Sequence, residues 1–338
     1  MLLVTGGCGF IGSNFIHLLR AERPALPILN LDALTYAGNL ENLAALAGDP
    51  GLQFVRGSVA DAELVAALFA AHPITAVVHF AAESHVDRSI LGPGVFVETN
   101  VRGTQVLLEA ARRAWAERPG RFVLVSTDEV YGSLGPTGRF TEATPLDPSS
   151  PYSASKAAAD LIGLAYWRTF ALPVLITRCS NNYGPYQFPE KLIPLMIQRA
   201  SQGLSLPVYG DGGNIRDWLH VSDHCRALLT VLEGGAPGRV YNIGGDNEVA
   251  NLAIVRLILG ALGKPESLIE FVADRPGHDR RYAIDATRIR RELGWTPRVD
   301  FAAGIAETIA WYATNRSWWQ AIVSGEYRDY YERLYGGR

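Results

Sequence analysis

Six short apolar runs punctuate the first half of the chain: Leu2 to Thr5, Ile28 to Leu31, Gln53 to Arg56, Ala76 to Phe80, Phe122 to Ser126 and Val174 to Arg178. Most are separated by Ala- and Leu-rich stretches of helical period, at Ile11 to Glu22, Glu63 to Ala71, Val95 to Glu117 and Tyr152 to Phe170. Strands that alternate with helices in this way must pair in parallel, because each crossover helix returns the chain to the edge it left. A parallel sheet covered on both faces is therefore expected. After Arg178 the texture changes to Pro, Gly, Asn and aromatic residues, as in Asn181 to Pro194 and Tyr209 to His220. The 338 residues suffice for one large α/β domain and a smaller companion. The predicted division is residues 1–180, with returns near 217–245, and residues 181–338, intertwined with the first part and not tethered to it.

The first strand runs into VTGGCGFIGS, Val4 to Ser13, which opens the first helix. Gly6, Gly9 and Gly12 lack the Cβ atoms that would keep a diphosphate from the backbone N–H groups of a helix N-terminus. Tight strand-to-helix turns also occur for structural reasons alone, but the position at the first βα junction points to a dinucleotide and a doubly wound Rossmann sheet. Asp32 ends the second strand 20 residues after Gly12. There a carboxylate accepts from adenosine ribose hydroxyls and repels a 2'-phosphate, which favours NAD over NADP. Alone, Asp32 would read equally well as a turn or cap residue. Cofactor contacts are expected from Gly6, Gly9, Phe10, Ile11 and Gly12, from Asp32, Ala33, Leu34 and Thr35, and from Ser58 and Val59 after the third strand. Phe80, Ala81, Ala82 and Ser84 after the fourth strand, and Thr99, complete that set.

Tyr152 and Lys156 form YxxxK at the start of a helix, on one face at i, i+4. An ammonium beside a phenol favours the phenolate, so the pair reads as a base and its activator. Any Ala-rich helix carries such a pair by chance, but Lys156 is one of only three lysines, with Lys191 and Lys264. At the end of the fifth strand stands STDEVYG, Ser126 to Gly132, with Thr127 placed to hydrogen-bond a substrate oxygen. In a continuing strand Asp128 and Glu129 would point to opposite faces. For both to serve one site the strand must end near Thr127 and the backbone must turn, which Gly132 permits. Out of context the pair reads as a solvated acidic loop.

These motifs together resemble the extended short-chain dehydrogenase/reductase family of NAD-dependent nucleotide-sugar epimerases and dehydratases. DALTYAGN (Asp32 to Asn39), AAESHVDRSI (Ala81 to Ile90), NNYGPYQFPEKLIP (Asn181 to Pro194) and DRPGHDRRY (Asp274 to Tyr282) are similar to the branch that dehydrates dTDP-linked glucose. The resemblance implies oxidation at C4 by Tyr152 with Lys156 and Thr127, then elimination across C5 and C6 with Glu129 as base and Asp128 as acid. It also implies that Asn182 contacts the cofactor, besides Tyr152 and Lys156. Substrate contacts are implied for Ser84, Thr127, Asn181, Lys191, Leu192, Pro207, Val208, Tyr209, Arg216, Asn251, Asp274, Arg275 and His278, and a homodimer through the two long helices. A UDP-glucose 4,6-dehydratase, a nucleotide-sugar 4-epimerase and a catalytically silent NAD-binding regulatory protein remain alternatives. The epimerase needs no acidic pair, and the regulatory protein needs neither that pair nor YxxxK.

Composition limits the partners. A net charge of -3 offers no basic field for nucleic acid. No apolar run approaches the roughly 20 residues that cross a bilayer, and the first strand begins at Leu2, so a cytoplasmic enzyme is expected. Cys8, Cys179 and Cys225 are too scattered for a disulfide framework or a zinc site, and no metal is expected. Cys8 departs from the family pattern, in which a small residue such as Ala is common at that place in the glycine loop.

Overall fold

The computed structural model of the protein describes residues 1–323; the end of the predicted second domain, 324–338, lies outside the described residues. Strands β1 (Leu2–Thr5), β2 (Ile28–Asp32), β3 (Leu52–Arg56), β4 (Ala76–His79), β5 (Arg121–Thr127) and β6 (Val174–Cys179) fall on the six apolar runs. The second half adds β7 (Asn181–Tyr183), β8 (Leu206–Tyr209), β9 (Ile215–His220), β10 (Val240–Ile243), β11 (Glu248–Ala250) and β12 (Ile269–Val272). The large sheet has seven strands in the order β3-β2-β1-β4-β5-β6-β10. Every pairing in it is parallel, with Leu2 opposite both Ile28 and Ala76. Strand order reverses between β1 and β4. Crossovers leave to opposite faces there, and a crevice opens outside the carboxyl ends.

Two helical layers bury the sheet. On one face Phe15, Ile16 and Leu19 of the Phe10–Glu22 helix pack with Leu228 and Val231 of the Val221–Gly234 helix. On the other, Val65 and Leu68 of Ala62–Ala71, Leu107 and Leu108 of Gly103–Ala114, and Ala159 of Pro151–Phe170 form a second core. A third core gathers Tyr183, Met196, Trp218, Ile254 and Ile309 beside the small sheets β7-β9-β11 and β8-β12. No helix among the described residues is long and apolar enough to cross a membrane.

The expected helix from Val95 to Glu117 is not continuous. It consists of Gly94–Phe96, a π-helical turn at Val97–Arg102, and Gly103–Ala114. Asn100 supplies the reason. Buried in the widened turn, it accepts from the Glu83 N–H at 2.9 Å and donates to the Glu83 carbonyl at 3.0 Å and to Ser155 Oγ at 2.8 Å. Those bonds fix the chain that follows β4, as π-bulges near functional sites often do.

Candidate active site

The carboxyl ends of the strands open on a cleft of about 320 Å³. Gly6, at φ 72°, begins its wall; a Cβ there would stand 2.6 Å from the Ala81 nitrogen, and one on Gly12 would stand 2.3 Å from the Gly6 carbonyl oxygen. Gly9 caps the helix without a side-chain hydrogen bond, so the first-turn N–H groups are left for a ligand. Asp32 Oδ2 accepts from the Cys8 N–H and Oδ1 from the Leu34 N–H, both at 2.8 Å. The carboxylate therefore holds the glycine loop in place, and each oxygen keeps a second lone-pair site. A bare glycine cradle beside an acceptor at the end of β2 fits an NAD pyrophosphate and ribose. Burial and then Asp32 push the Cys8 thiol up to about 12, so it is an inert small residue.

Of the residues expected to meet cofactor, Phe10, Ile11, Ala33, Thr35, Ser58, Val59, Phe80, Ala81, Ala82, Ser84, Thr99 and Asn182 line the cleft with the glycines and Asp32. Leu34 does not; at φ 53° it turns the backbone so that its N–H reaches Asp32. Asn182 is held by the Ser180 carbonyl and His224 Nδ1.

β5 ends at Thr127, and Asp128–Tyr131 form a 3-10 turn whose cap is the Thr127 side chain, accepting from the Glu129 N–H at 3.2 Å. Gly132, at φ 84°, then reverses the chain so tightly that a Cβ would meet the Asp147 carbonyl oxygen at 2.4 Å. The turn brings both carboxylates to the cleft wall. Asp128 is 2% exposed, accepts from Thr127 Oγ1 at 3.3 Å, and has an unpartnered Oδ2 among the described residues. Burial, then Glu129 and Asp217, hold its carboxyl well above the usual carboxylate range. Burial also raises Glu129, but Arg275, Lys191 and Arg216 oppose it. The neighbours thus sit in unlike fields.

Ser150 and Ser153 form a capping box on either side of Pro151 at N1, which fixes Tyr152 and Lys156 in the first turns of their helix. Lys156 Nζ donates to the Val125 carbonyl at 2.8 Å. Tyr152 packs edge-on against Phe96, with its phenol hydrogen-bonded to Thr127. Burial, then Glu129 and Cys179, push the phenol well above its usual range, and the hydrogen bond to Thr127 opposes that rise.

The residues expected to meet substrate form two groups. Asn181 and Lys191 line the cleft with Ser84 and Thr127, and Lys191 Nζ donates to the Ser84 carbonyl at 3.0 Å. Leu192, Pro207, Val208, Tyr209, Arg216, Asn251, Asp274, Arg275 and His278 do not line it. Several are linked: Tyr209 OH donates to Asp87 Oδ2 at 3.2 Å, Arg275 Nη1 to Asp87 Oδ1 at 3.3 Å, and His278 Nδ1 pairs with Asp274 Oδ1 at 2.5 Å. Arg216 lies over the Tyr282 ring and donates to the Asp279 carbonyl at 3.0 Å. Asn181 and Asn251 carry buried amide oxygens with no partner among the described residues. The organiser Asp87 was not expected; it sits in the AAESHVDRSI stretch, but its partners are 122 and 188 residues away.

A seven-stranded parallel sheet with a glycine cradle, a YxxxK helix and a separate polar half defines a short-chain dehydrogenase/reductase of the extended kind. A family model described as GDP-mannose 4,6 dehydratase matches residues 3–308. A dTDP-glucose 4,6-dehydratase of Xanthomonas campestris pv. campestris is 56% identical, over 96% of this chain and 97% of the relative. One from Escherichia coli is 49% identical, over 98% of each. Among solved structures, a dTDP-glucose 4,6-dehydratase from Streptomyces venezuelae with NAD bound superposes with a TM-score of 0.91 at 54% identity, covering 95% of this chain and 99% of that one. A UDP-glucose 4-epimerase of Thermus thermophilus in complex with NAD gives 0.85 at 31% identity, over 93% and 99%. This chain belongs to the dTDP-glucose 4,6-dehydratase family.

Proposed function

We propose that this chain converts dTDP-glucose to dTDP-4-keto-6-deoxy-glucose, in deoxysugar biosynthesis, as an NAD-dependent hydro-lyase. The observation that carries the reading is the unlike environment of two adjacent carboxyls: Asp128 enclosed and raised, Glu129 facing three cations. An elimination needs such a pair, one group protonated and one ionised; epimerisation through the same ketone does not. The glycine cradle, Asp32 and the strand ends would hold NAD, which would supply a reversible hydride acceptor for oxidation at C4 and reduction at C6. Tyr152 removes the O4 proton, with Thr127 hydrogen-bonded to the same phenol and Lys156 anchored beneath it. The resulting ketone acidifies H5. Glu129 takes that proton, and Asp128 protonates the departing C6 hydroxyl. Asn181, Lys191, Arg216, Asn251 and Arg275 hold the diphosphate, Arg through its planar fork. Tyr209, with Pro207 and Val208, holds the base; Leu192, Asp274 and His278 complete the substrate loop.

Residues 1–180, with the Val221–Gly234 helix and β10, make the cofactor-holding body in this reading, and the rest holds the nucleotide sugar. Two such chains pair through Gly94–Ala114 and Pro151–Phe170, supported by the exposed Leu91, Val95, Val97, Leu161 and Phe170 on and beside these helices. Three free, buried thiols suit the reducing cytoplasm.

Turnover of dTDP-glucose in deuterated water tests the reading. The expected product is a 4-keto-6-deoxy sugar with deuterium at C5 and no net consumption of NAD. A galactose-configured product without deuterium would replace dehydration by epimerisation. Turnover of UDP-glucose in preference would move the base specificity, and no turnover of either would leave only an NAD-binding protein.

A further inference from the structure

Lys156 is 5% exposed, and its ammonium donates to the carbonyl of Val125. An ammonium in such a place releases its proton readily unless a negative charge is near. One turn further along the same face of the helix, Asp160 is fully buried. Its Oδ2 accepts from Arg178 Nε of β6 at 2.8 Å, and its Oδ1 is buried with no hydrogen-bond partner among the described residues. Arg178 in turn stacks on the Tyr131 ring, 4.8 Å from its centroid. Tyr152, Lys156 and Asp160 thus recur every fourth residue down one buried helix edge, ending on an arginine from the sheet.

We propose that Asp160, backed by Arg178, is a positioning residue that keeps Lys156 a fixed cation beneath Tyr152. The proposal rests on the reading of Tyr152 and Lys156 given above. Other groups facing Lys156 do not supply the charge. His79 on β4 is buried and held neutral, at about 3, by burial and by Lys156 itself. Cys179 on β6 is a neutral thiol, pushed far above its usual range by burial. Tyr152, on the same helix, is neutral, and buried Asp128 beyond it is raised well above the ordinary carboxyl range. Glu129 faces Arg275, Lys191 and Arg216. Burial lowers Lys156, and Asp160 is the first group that opposes it. Burial raises the Asp160 carboxyl too, and Arg178 first, then Ser126 and Lys156, oppose that rise, which a lone buried carboxylate would lack.

With only three lysines in the chain, the ammonium can be observed directly. Protein labelled with 13C at lysine Cε gives three resonances, and Lys156→Met assigns one of them. The titration midpoint of Lys156 is expected to fall by about one pH unit or more, a tenfold or larger change in its acidity, in Asp160→Asn. It should return to within a few tenths of a unit in Asp160→Glu, while Lys191 and Lys264 stay unmoved. Asp160→Asn strands a buried arginine, so Asp160→Asn combined with Arg178→Gln provides a second variant without that defect, and its Lys156 midpoint should also fall. An unchanged Lys156 midpoint in either folded variant overturns the proposal, as does an equal shift of all three lysines. Neither result bears on the substrate, because the measurement needs no turnover.

Discussion

Asp128 and Glu129 are neighbours in sequence that differ in what they face. Burial keeps Asp128 protonated in the folded chain, whereas the unfolded chain would release that proton near pH 4. The folded state therefore binds the extra proton above that pH, and the stability this group contributes is complete below about pH 4 and lost as pH rises above it. Asparagine has no proton to lose. The melting temperature of Asp128→Asn relative to the parent should become more positive between about pH 4 and pH 8, which calorimetry across that range measures; a difference independent of pH would mean that Asp128 is not held protonated. The same variant should leave C4 oxidation nearly intact and slow elimination by about 10²–10⁴-fold, the usual worth of a positioned acid. Rapid-quench product analysis separates the steps, and equal loss of both would assign Asp128 to another role. The placing of Thr127, Asp128, Glu129, Tyr152 and Lys156 at the cleft was legible because each lies near a strand end or helix start that local sequence defines. Asp87 was not, since its work is to hold Arg275 and Tyr209, which only the folded chain brings near.

At the scale of elements, the six strands of the first half announce themselves by apolar runs, but the π-helical turn does not. Asn100 sits in a stretch with ordinary helical period, and nothing local says that its amide will be spent on Glu83 and Ser155. The short strands of the second half are equally silent, three to six residues each and set among loops. Asn100→Ala should cost about 2–4 kcal/mol, since it deletes three buried hydrogen bonds of roughly 1 kcal/mol each and leaves backbone groups unpaired. Its effect should reach Ser84, one residue beyond Glu83, whose carbonyl receives Lys191. KM for the nucleotide sugar should therefore rise several-fold in protein that remains folded, measured below its lowered melting temperature. An unchanged KM would confine Asn100 to stability.

For the whole molecule, the consequence of these elements is an apolar surface the single chain does not cover. Leu91 is 65% exposed, Val97 56%, Leu161 57% and Phe170 49%, on helices that pack beside one another. One such residue is ordinary; several on adjoining helices are the patch that the proposed dimer would cover. Symmetry suits the assignment, because a two-fold axis lets one patch bury itself against its own copy. Light scattering after size exclusion should give twice the chain mass of 36.8 kDa. Leu161→Glu with Val97→Glu places four like charges across the axis, two from each chain, and should return the mass to that of one chain with the far-ultraviolet dichroism unchanged. A monomeric parent would remove the dimer altogether, and a double variant that stayed dimeric would place the interface on another face. The Tyr152 helix lies in this patch through Leu161, so the monomer should also lose melting temperature, and its cofactor affinity should fall with the rigidity of that helix.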